Sequence, residues 1–273
     1  MGKLLKVGIV GCGAIGTSLA KAVFSDFSSS ARLTGLYDTE IEKAQKLADK
    51  FNNPELVVLS LEDLINKADL VIEATKAQFS FGIAQKSINA SRDIMVMSVG
   101  GLIQHFKELE TLAKEKNARV FIPSGAICGI DGLKAASCSK INKVTLTTRK
   151  PPKAFQGVAY VAEKKIDLEH LKEDLVIFEG SAREATKSFP QNINVAATLS
   201  MAGIGPENTL VRIIASPNIT QNIHEIEVES DAGKITTRTE NVIHPDNPKT
   251  SYMAVLSAIA VLKQILEPIK IGA

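Results

Sequence analysis

From Lys6 to Ala20 the chain reads Lys-Val-Gly-Ile-Val-Gly-Cys-Gly-Ala-Ile-Gly-Thr-Ser-Leu-Ala, an apolar run that passes through Gly11, Gly13 and Gly16 into helix-forming residues. Three glycines at this spacing leave the backbone few options. The first permits a tight turn, the second lets the backbone approach a pyrophosphate, and the third lets the helix pack close to the strand. The pyrophosphate then rests on N–H groups at the helix start, here those of Ala14, Ile15 and Gly16. Asp38 closes the next apolar run, Leu33-Thr-Gly-Leu-Tyr-Asp38. It lies about 20 residues on, where a carboxylate takes the ribose hydroxyls. The pattern predicts a dinucleotide site; the plain alternative is a glycine-rich turn that only packs.

The 273 residues suffice for one large or two modest domains, and 45% hydrophobic with 23% charged is an ordinary globular composition. A net charge of +2, with bases dispersed among acids, gives no reason to expect nucleic acid or an anionic membrane as partner. No apolar stretch of about 18 residues runs without polar interruption, and the first residues lead into a strand without signal-peptide architecture. A cytoplasmic protein is expected. Cys12, Cys128 and Cys138 have no metal-ligand spacing, so neither a metal site nor a disulfide framework is expected.

Up to about residue 125, short β-rich runs alternate with helical periods, as in a parallel sheet with helices on both faces. Strands are expected at 5–10, 33–37, 56–59, 69–73, 94–98 and 119–122, and helices at 14–25, 39–51, 61–66, 79–90 and 103–116. Ligands of such sheets bind beyond the carboxyl ends of the strands, so the loops after Val10, Glu73 (with Ala74 and Thr75) and Ser98 should face the cofactor. After Pro123 the texture changes. Segments 142–150, 210–216, 221–230 and 233–240 read as half-buried antiparallel strands, with a turn at Asp231-Ala-Gly233; helices are expected at 130–139, 181–187 and 192–203. From Asn247-Pro onward a polar cap leads into a long apolar helix, expected to be mostly buried and to pack back on the nucleotide domain. The fold class expected is thus α/β, a Rossmann doubly wound parallel sheet (1–123 plus 247–273) with an inserted α+β substrate domain (124–246).

Of the four histidines, His105 and His170 sit in charged helical surroundings. His224 shares a strand face with Ile226 and Val228, while Glu225, Glu227 and Glu229 alternate to the other face. A buried imidazole needs a partner or a task. It is either a satisfied core histidine or a general acid/base, and His244, in a loop dense with turn formers, competes with it. Asn192 and Asn194 open a helix, where amides either cap or hold a carboxamide or carboxylate. Ser124-Gly-Ala126 is either a plain interdomain turn or a presenter of N–H groups.

The ordered set Gly-Cys-Gly-Ala-Ile-Gly, Pro-Ser-Gly-Ala (123–126), Thr-Thr-Arg-Lys-Pro-Pro (147–152), Phe-Pro-Gln-Asn-Ile-Asn-Val-Ala-Ala (189–197), Asn-Ile-His-Glu-Ile (222–226) and Asn-Pro-Lys-Thr-Ser (247–251) resembles the L-aspartate dehydrogenase family over essentially the whole chain. The resemblance implies oxidation of L-aspartate with NAD or NADP to iminosuccinate, which hydrolyses to oxaloacetate and ammonia or feeds NAD synthesis, by a homodimer whose inserted α+β domain has a mixed sheet and serves substrate binding and dimerisation. It implies that Ala126 and Asn192 or Asn194 contact the dinucleotide and that His224 is the active-site residue. Two substrate carboxylates call for cations or N–H donors; Arg149, Lys150 and Lys249 are either these cations or plain surface charges, and Thr250 and Ser251 offer hydroxyls or N–H groups at a helix start. With Asp38 on the ribose and no arginine after it, NAD should be preferred over NADP. The alternatives are another dehydrogenase or reductase of similar plan, of homoserine or dihydrodipicolinate type, and a dinucleotide-binding sensor without turnover.

Overall fold

The computed structural model describes residues 4–189, 194–245 and 247–272, with side chains at all of these except 247–249. The chain forms two compact units, one containing the residues up to Pro123 together with Val255–Ile271, the other Ser124–Ala254.

The first unit runs β1 (Leu5–Val10), α1 (Ala14–Lys21), β2 (Ala31–Tyr37), α2 (Ile41–Asp49), α3 (Leu61–Lys67), β3 (Leu70–Glu73), α4 (Ala77–Asn89), β4 (Asp93–Val96), α5 (Phe106–Lys116) and β5 (Val120–Phe121). The strands pair in parallel in the order β2-β1-β3-β4-β5, a Rossmann-like sheet. Val7, Ile9, Leu36, Ile72 and Met95 are fully buried, as strands covered on both faces require. Each such side chain stabilises the unit by about 1.5–3 kcal/mol. The strand order reverses between β1 and β3, so the crevice at their carboxyl ends is where this architecture takes a ligand.

The expected strand at 56–59 does not form. Pro54 starts a 3-10 turn over Pro54–Leu56, and the Ser60 hydroxyl already caps α3 by accepting from the Asp63 N–H at 3.1 Å. Between these two fixed points there is room for one bridge, Leu36 to Val57, and the sheet has five strands, not six.

The second unit contains α6 (Ile130–Ala136), β6 (Ile141–Lys150), α7 (Ala159–Glu163), β7 (Leu175–Ser181), α8 (Ala182–Ser188), α9 (Asn194–Ala202), β8 (Thr209–Ala215), β9 (Asn222–Ser230), β10 (Gly233–Asn241), β11 (Ile243–His244) and β12 (Asn247–Ser251). Its main sheet has the order β10-β9-β6-β8-β7. The β6·β8 pair is parallel while the others are antiparallel, so the sheet is mixed, as the family resemblance implies, although the strand patterns by themselves read as antiparallel. Alternation along β9 buries His224, Ile226 and Val228 and leaves the glutamates partly exposed. The hairpin to β10 closes over Asp231-Ala232.

The terminal segment differs from expectation in two ways. Asn247–Ser251 is a strand paired with Ile243–His244, so the apolar helix, α10 (Tyr252–Leu266), begins later and the division between units falls at Val255. The helix is also one-sided: Val255, Ala258 and Leu262 are buried, whereas Met253 and Leu256 are exposed. Ala258 and Leu262 join the core of Val7, Ile9 and Leu19.

Candidate active site

In the first unit, Gly11 (φ +95°) makes the turn out of β1, a backbone conformation that a side chain would strain. At Gly16 a Cβ would stand 1.8 Å from the Gly11 carbonyl oxygen, so this glycine lets α1 cross against the turn. Gly13 is different, because a Cβ there would meet nothing within 4 Å. Its bareness serves no packing purpose and leaves room at the start of α1, which opens at Gly13 without a side-chain cap. Ala14 and Ile15 supply the first turn, where N–H groups favour an anion.

Beside this turn lies a cleft of about 520 Å³ lined by Gly11, Gly13, Asp38, Lys43, Ala74 and Thr75 among others. The Asp38 carboxylate accepts the Cys12 N–H at 2.8 Å and the Glu40 N–H at 2.9 Å, which holds it at the cleft wall. Burial and the nearby Asp38 charge push the Cys12 thiol up to about 12, so it stays protonated and inert. Thr75, which also lines the cleft, is held by a residue that sequence reasoning missed. Glu73 is fully buried; Oε1 accepts the Thr75 N–H (2.7 Å) and hydroxyl (2.6 Å), and Oε2 accepts the Ser98 N–H (3.0 Å). One carboxylate thus ties together the loops after β3 and β4. An open anion-accepting helix start, a carboxylate at the ribose distance and a cleft of this size fit a dinucleotide.

In the second unit, Thr148 on β6 and His224 on β9 are direct antiparallel partners, with Thr148 Oγ1 and His224 Nδ1 3.0 Å apart. The imidazole is 4% exposed. Burial, with a further push from the Lys150 charge, moves it down to about 3, so the ring is neutral at physiological pH. Lys150 is also buried, and desolvation brings its ammonium down to about 8. Asn241, buried at the end of β10, donates through Nδ2 to the Ala126 carbonyl (3.0 Å) and accepts the Ser251 hydroxyl (2.7 Å). It joins two residues that the sequence singles out separately. His244 is buried with its ring edge-on to Tyr252, at 5.3 Å between centroids.

The structure brings Gly11, Gly13, Asp38, Ala74 and Thr75 to one cleft. Thr250 and Ser251 lie at the end of β12 and Asn194 is the first, exposed residue of α9. Asn192 and the Lys249 side chain lie outside the described residues. Arg149 points to the face opposite His224 and is held in ion pairs with Glu225 and Asp174. Among the described residues no cluster of His, Cys, Asp and Glu can hold a metal ion, and no helix is long and apolar enough to cross a membrane.

A dinucleotide cleft in one unit and a buried, neutral histidine in the other are the parts that a pyridine-nucleotide-dependent oxidoreductase requires. Two family models match, the homoserine dehydrogenase NAD-binding domain over residues 11–123 and the aspartate dehydrogenase C-terminal domain over 131–265. L-aspartate dehydrogenases of Methanosarcina mazei and Methanococcoides burtonii are 47% and 46% identical to the chain, over 98% of it and 100% of each relative. The chain belongs to the L-aspartate dehydrogenase family. The crystal structure of aspartate dehydrogenase from Thermotoga maritima superposes with a TM-score of 0.73 at 25% identity, covering 99% of this chain and all of that one. A homoserine dehydrogenase from Thiobacillus denitrificans shares the fold, with a TM-score of 0.64 at 13% identity over 97% of this chain and 73% of its own.

Proposed function

We propose that the protein oxidises L-aspartate to iminosuccinate, which water converts to oxaloacetate and ammonia, with NAD as the preferred cofactor and NADP as the weaker one. The observation that carries this reading is the neutral, buried His224 in a chain of this family. A bound pyridine nucleotide supplies the hydride acceptor. The rest falls to the protein. The substrate ammonium must lose a proton before its Cα–H can leave as hydride, and a neutral imidazole can take that proton. Thr148 orients the ring: with Nδ1–H donating to Thr148 Oγ1, the lone pair of Nε2 is left as the base. In the alternative role, the same nitrogen activates the water that hydrolyses the imine.

In the first unit, Gly11, Gly13, Ala14, Ile15 and Gly16 cradle the pyrophosphate, and Ala74 and Thr75 border the same cleft. Asp38 accepts from the ribose hydroxyls and repels a 2′-phosphate, which supports NAD over NADP. Ala126 and one of Asn192 and Asn194 contact the dinucleotide, a reading that rests on the family resemblance; Asn241 positions the Ala126 carbonyl. Thr250 and Ser251 serve the substrate together with Lys249. The reading extends to a homodimer in the cytoplasm, where the three cysteines, all free thiols, suit a reducing compartment.

The test is NADH formation by the purified protein with NAD and L-aspartate, beside D-aspartate, L-glutamate and L-homoserine. Turnover confined to L-aspartate is expected. Turnover of L-homoserine instead, or NADH binding with no turnover of any amino acid, would overturn the reading.

A further inference from the structure

The substrate carries two carboxylates, and the sheet of the second unit decides which of its cations can meet one beside His224. Direct cross-strand partners lie on the same face of a sheet, and residues two apart along a strand share a face. Thr148 is the partner of His224, so Thr148 and, two residues on, Lys150 lie on the His224 face. The other cations of these strands fall on the opposite one. Lys143 and Lys234 pair in register with Glu229, Arg238 with Glu225, and Arg212 with Thr147 and Glu179. Arg149 alternates to that face too, where Glu225 and Asp174 hold it.

The seat of Lys150 brings a further chain segment into play. Lys150 borders a small hollow of about 10 Å³ shared with Thr148, Phe155, Val195 and Ala196, among which it alone ionises. Val195 and Ala196 stand in the first turn of α9, directly after Asn194. Three separate segments, Thr-Thr-Arg-Lys-Pro-Pro, the start of α9 and Asn-Ile-His-Glu-Ile, therefore meet at Lys150. The hollow has room for about one water, so it is not the substrate chamber.

Resting on the aspartate-oxidising reading above, we propose that Lys150 is a substrate-binding residue whose ammonium receives one carboxylate of the dicarboxylate substrate beside His224. The pairing also links binding to chemistry. The charge of Lys150 discourages protonation of His224, and a carboxylate set against it removes that discouragement. His224 then becomes the stronger base when substrate is present. His224 is the titratable group that feels the Lys150 charge on this face, while the charged side chains of β8 and β10 named above belong to the other face.

The experiment compares the intact wild-type enzyme with Lys150→Met and Lys150→Arg in steady-state kinetics, varying L-aspartate and NAD separately from pH 6.5 to 10. Lys150→Met should raise the L-aspartate KM about 10²-fold or more while the NAD KM stays within about twofold, and Lys150→Arg should recover at least about tenfold of that loss. An unchanged L-aspartate KM in Lys150→Met overturns the proposal. If Lys150→Met shows no cooperative thermal unfolding and so fails to fold, the Arg variant decides. The alkaline fall of kcat/KM for L-aspartate, expected near pH 8 in wild type where the buried ammonium titrates, should move upward by more than one pH unit. An unmoved limb overturns the proposal as well. Wild-type enzyme that does not oxidise L-aspartate would instead remove the functional reading on which this rests.

Discussion

Thr148 Oγ1 stands 3.0 Å from Nδ1 of His224, and the two residues face each other as direct partners across β6 and β9. A side chain placed by a sheet register is held more rigidly than one on a loop, and this pair fixes the imidazole without adding charge. Thr148→Val keeps the shape and removes the hydroxyl. It should lower kcat about tenfold or more through loss of ring orientation and cost about 1–3 kcal/mol in unfolding free energy, with Thr148→Ser largely restoring both. Steady-state kinetics and urea unfolding measure the two effects; wild-type kcat in the valine variant would contradict the assignment.

Burial of His224 makes stability depend on pH in a defined direction. The ring sits at about 3 in the folded protein and near 6.5 in the unfolded chain. Between these values the unfolded state binds a proton that the folded state refuses, so stability falls as pH drops through 6.5 towards 3. Above 6.5 this group contributes no pH dependence. His224→Asn should flatten that part of the curve, gaining on wild type by on the order of a few kcal/mol between pH 7 and pH 4. Chemical denaturation at stepped pH values reads the difference, and parallel curves would contradict the buried neutral ring.

Gly13 and Gly16 should respond oppositely to the same substitution. A methyl at Gly16 collides with the Gly11 carbonyl oxygen at 1.8 Å, a rigid backbone atom, so Gly16→Ala should lower the melting temperature sharply. Gly13 has a negative φ and empty space around the added carbon. Gly13→Ala should melt like wild type and lose at least about tenfold in NADH affinity, because the proposed pyrophosphate position fills that space. Thermal melts paired with NADH fluorescence titration separate the two roles.

Asp38 already accepts two backbone N–H groups, so the asparagine variant can keep one accepting oxygen in place while losing the charge. Asp38→Asn should raise the NADP-to-NAD ratio of kcat/KM by about tenfold, the scale of one charge interaction near a surface. An unchanged ratio would mean that discrimination lies elsewhere in the cleft.

The nucleotide unit was legible because its constraints are local. Glycines at a turn and a carboxylate at the end of the next strand announce themselves within a short stretch of sequence. Glu73 did not, since it reads as the tail of a strand and becomes a clamp only when the loops carrying Thr75 and Ser98 come together. Thr148 and Asn241 were hidden for the same reason: their partners lie on other strands, and register is not written in one strand alone. The β7 strand escaped because a register shift between Val176 and Phe178 breaks its alternation. The apolar run of α10 suggested burial all round, whereas the helix keeps one buried stripe and leaves Tyr252, Met253 and Leu256 exposed.

The account centres on His224 as the proton acceptor in oxidation of L-aspartate, and His224→Ala tests it most directly. We expect turnover of L-aspartate to fall by at least about 10²-fold while NADH binds with wild-type affinity. A variant that binds NADH normally and still oxidises L-aspartate at the wild-type rate would contradict it.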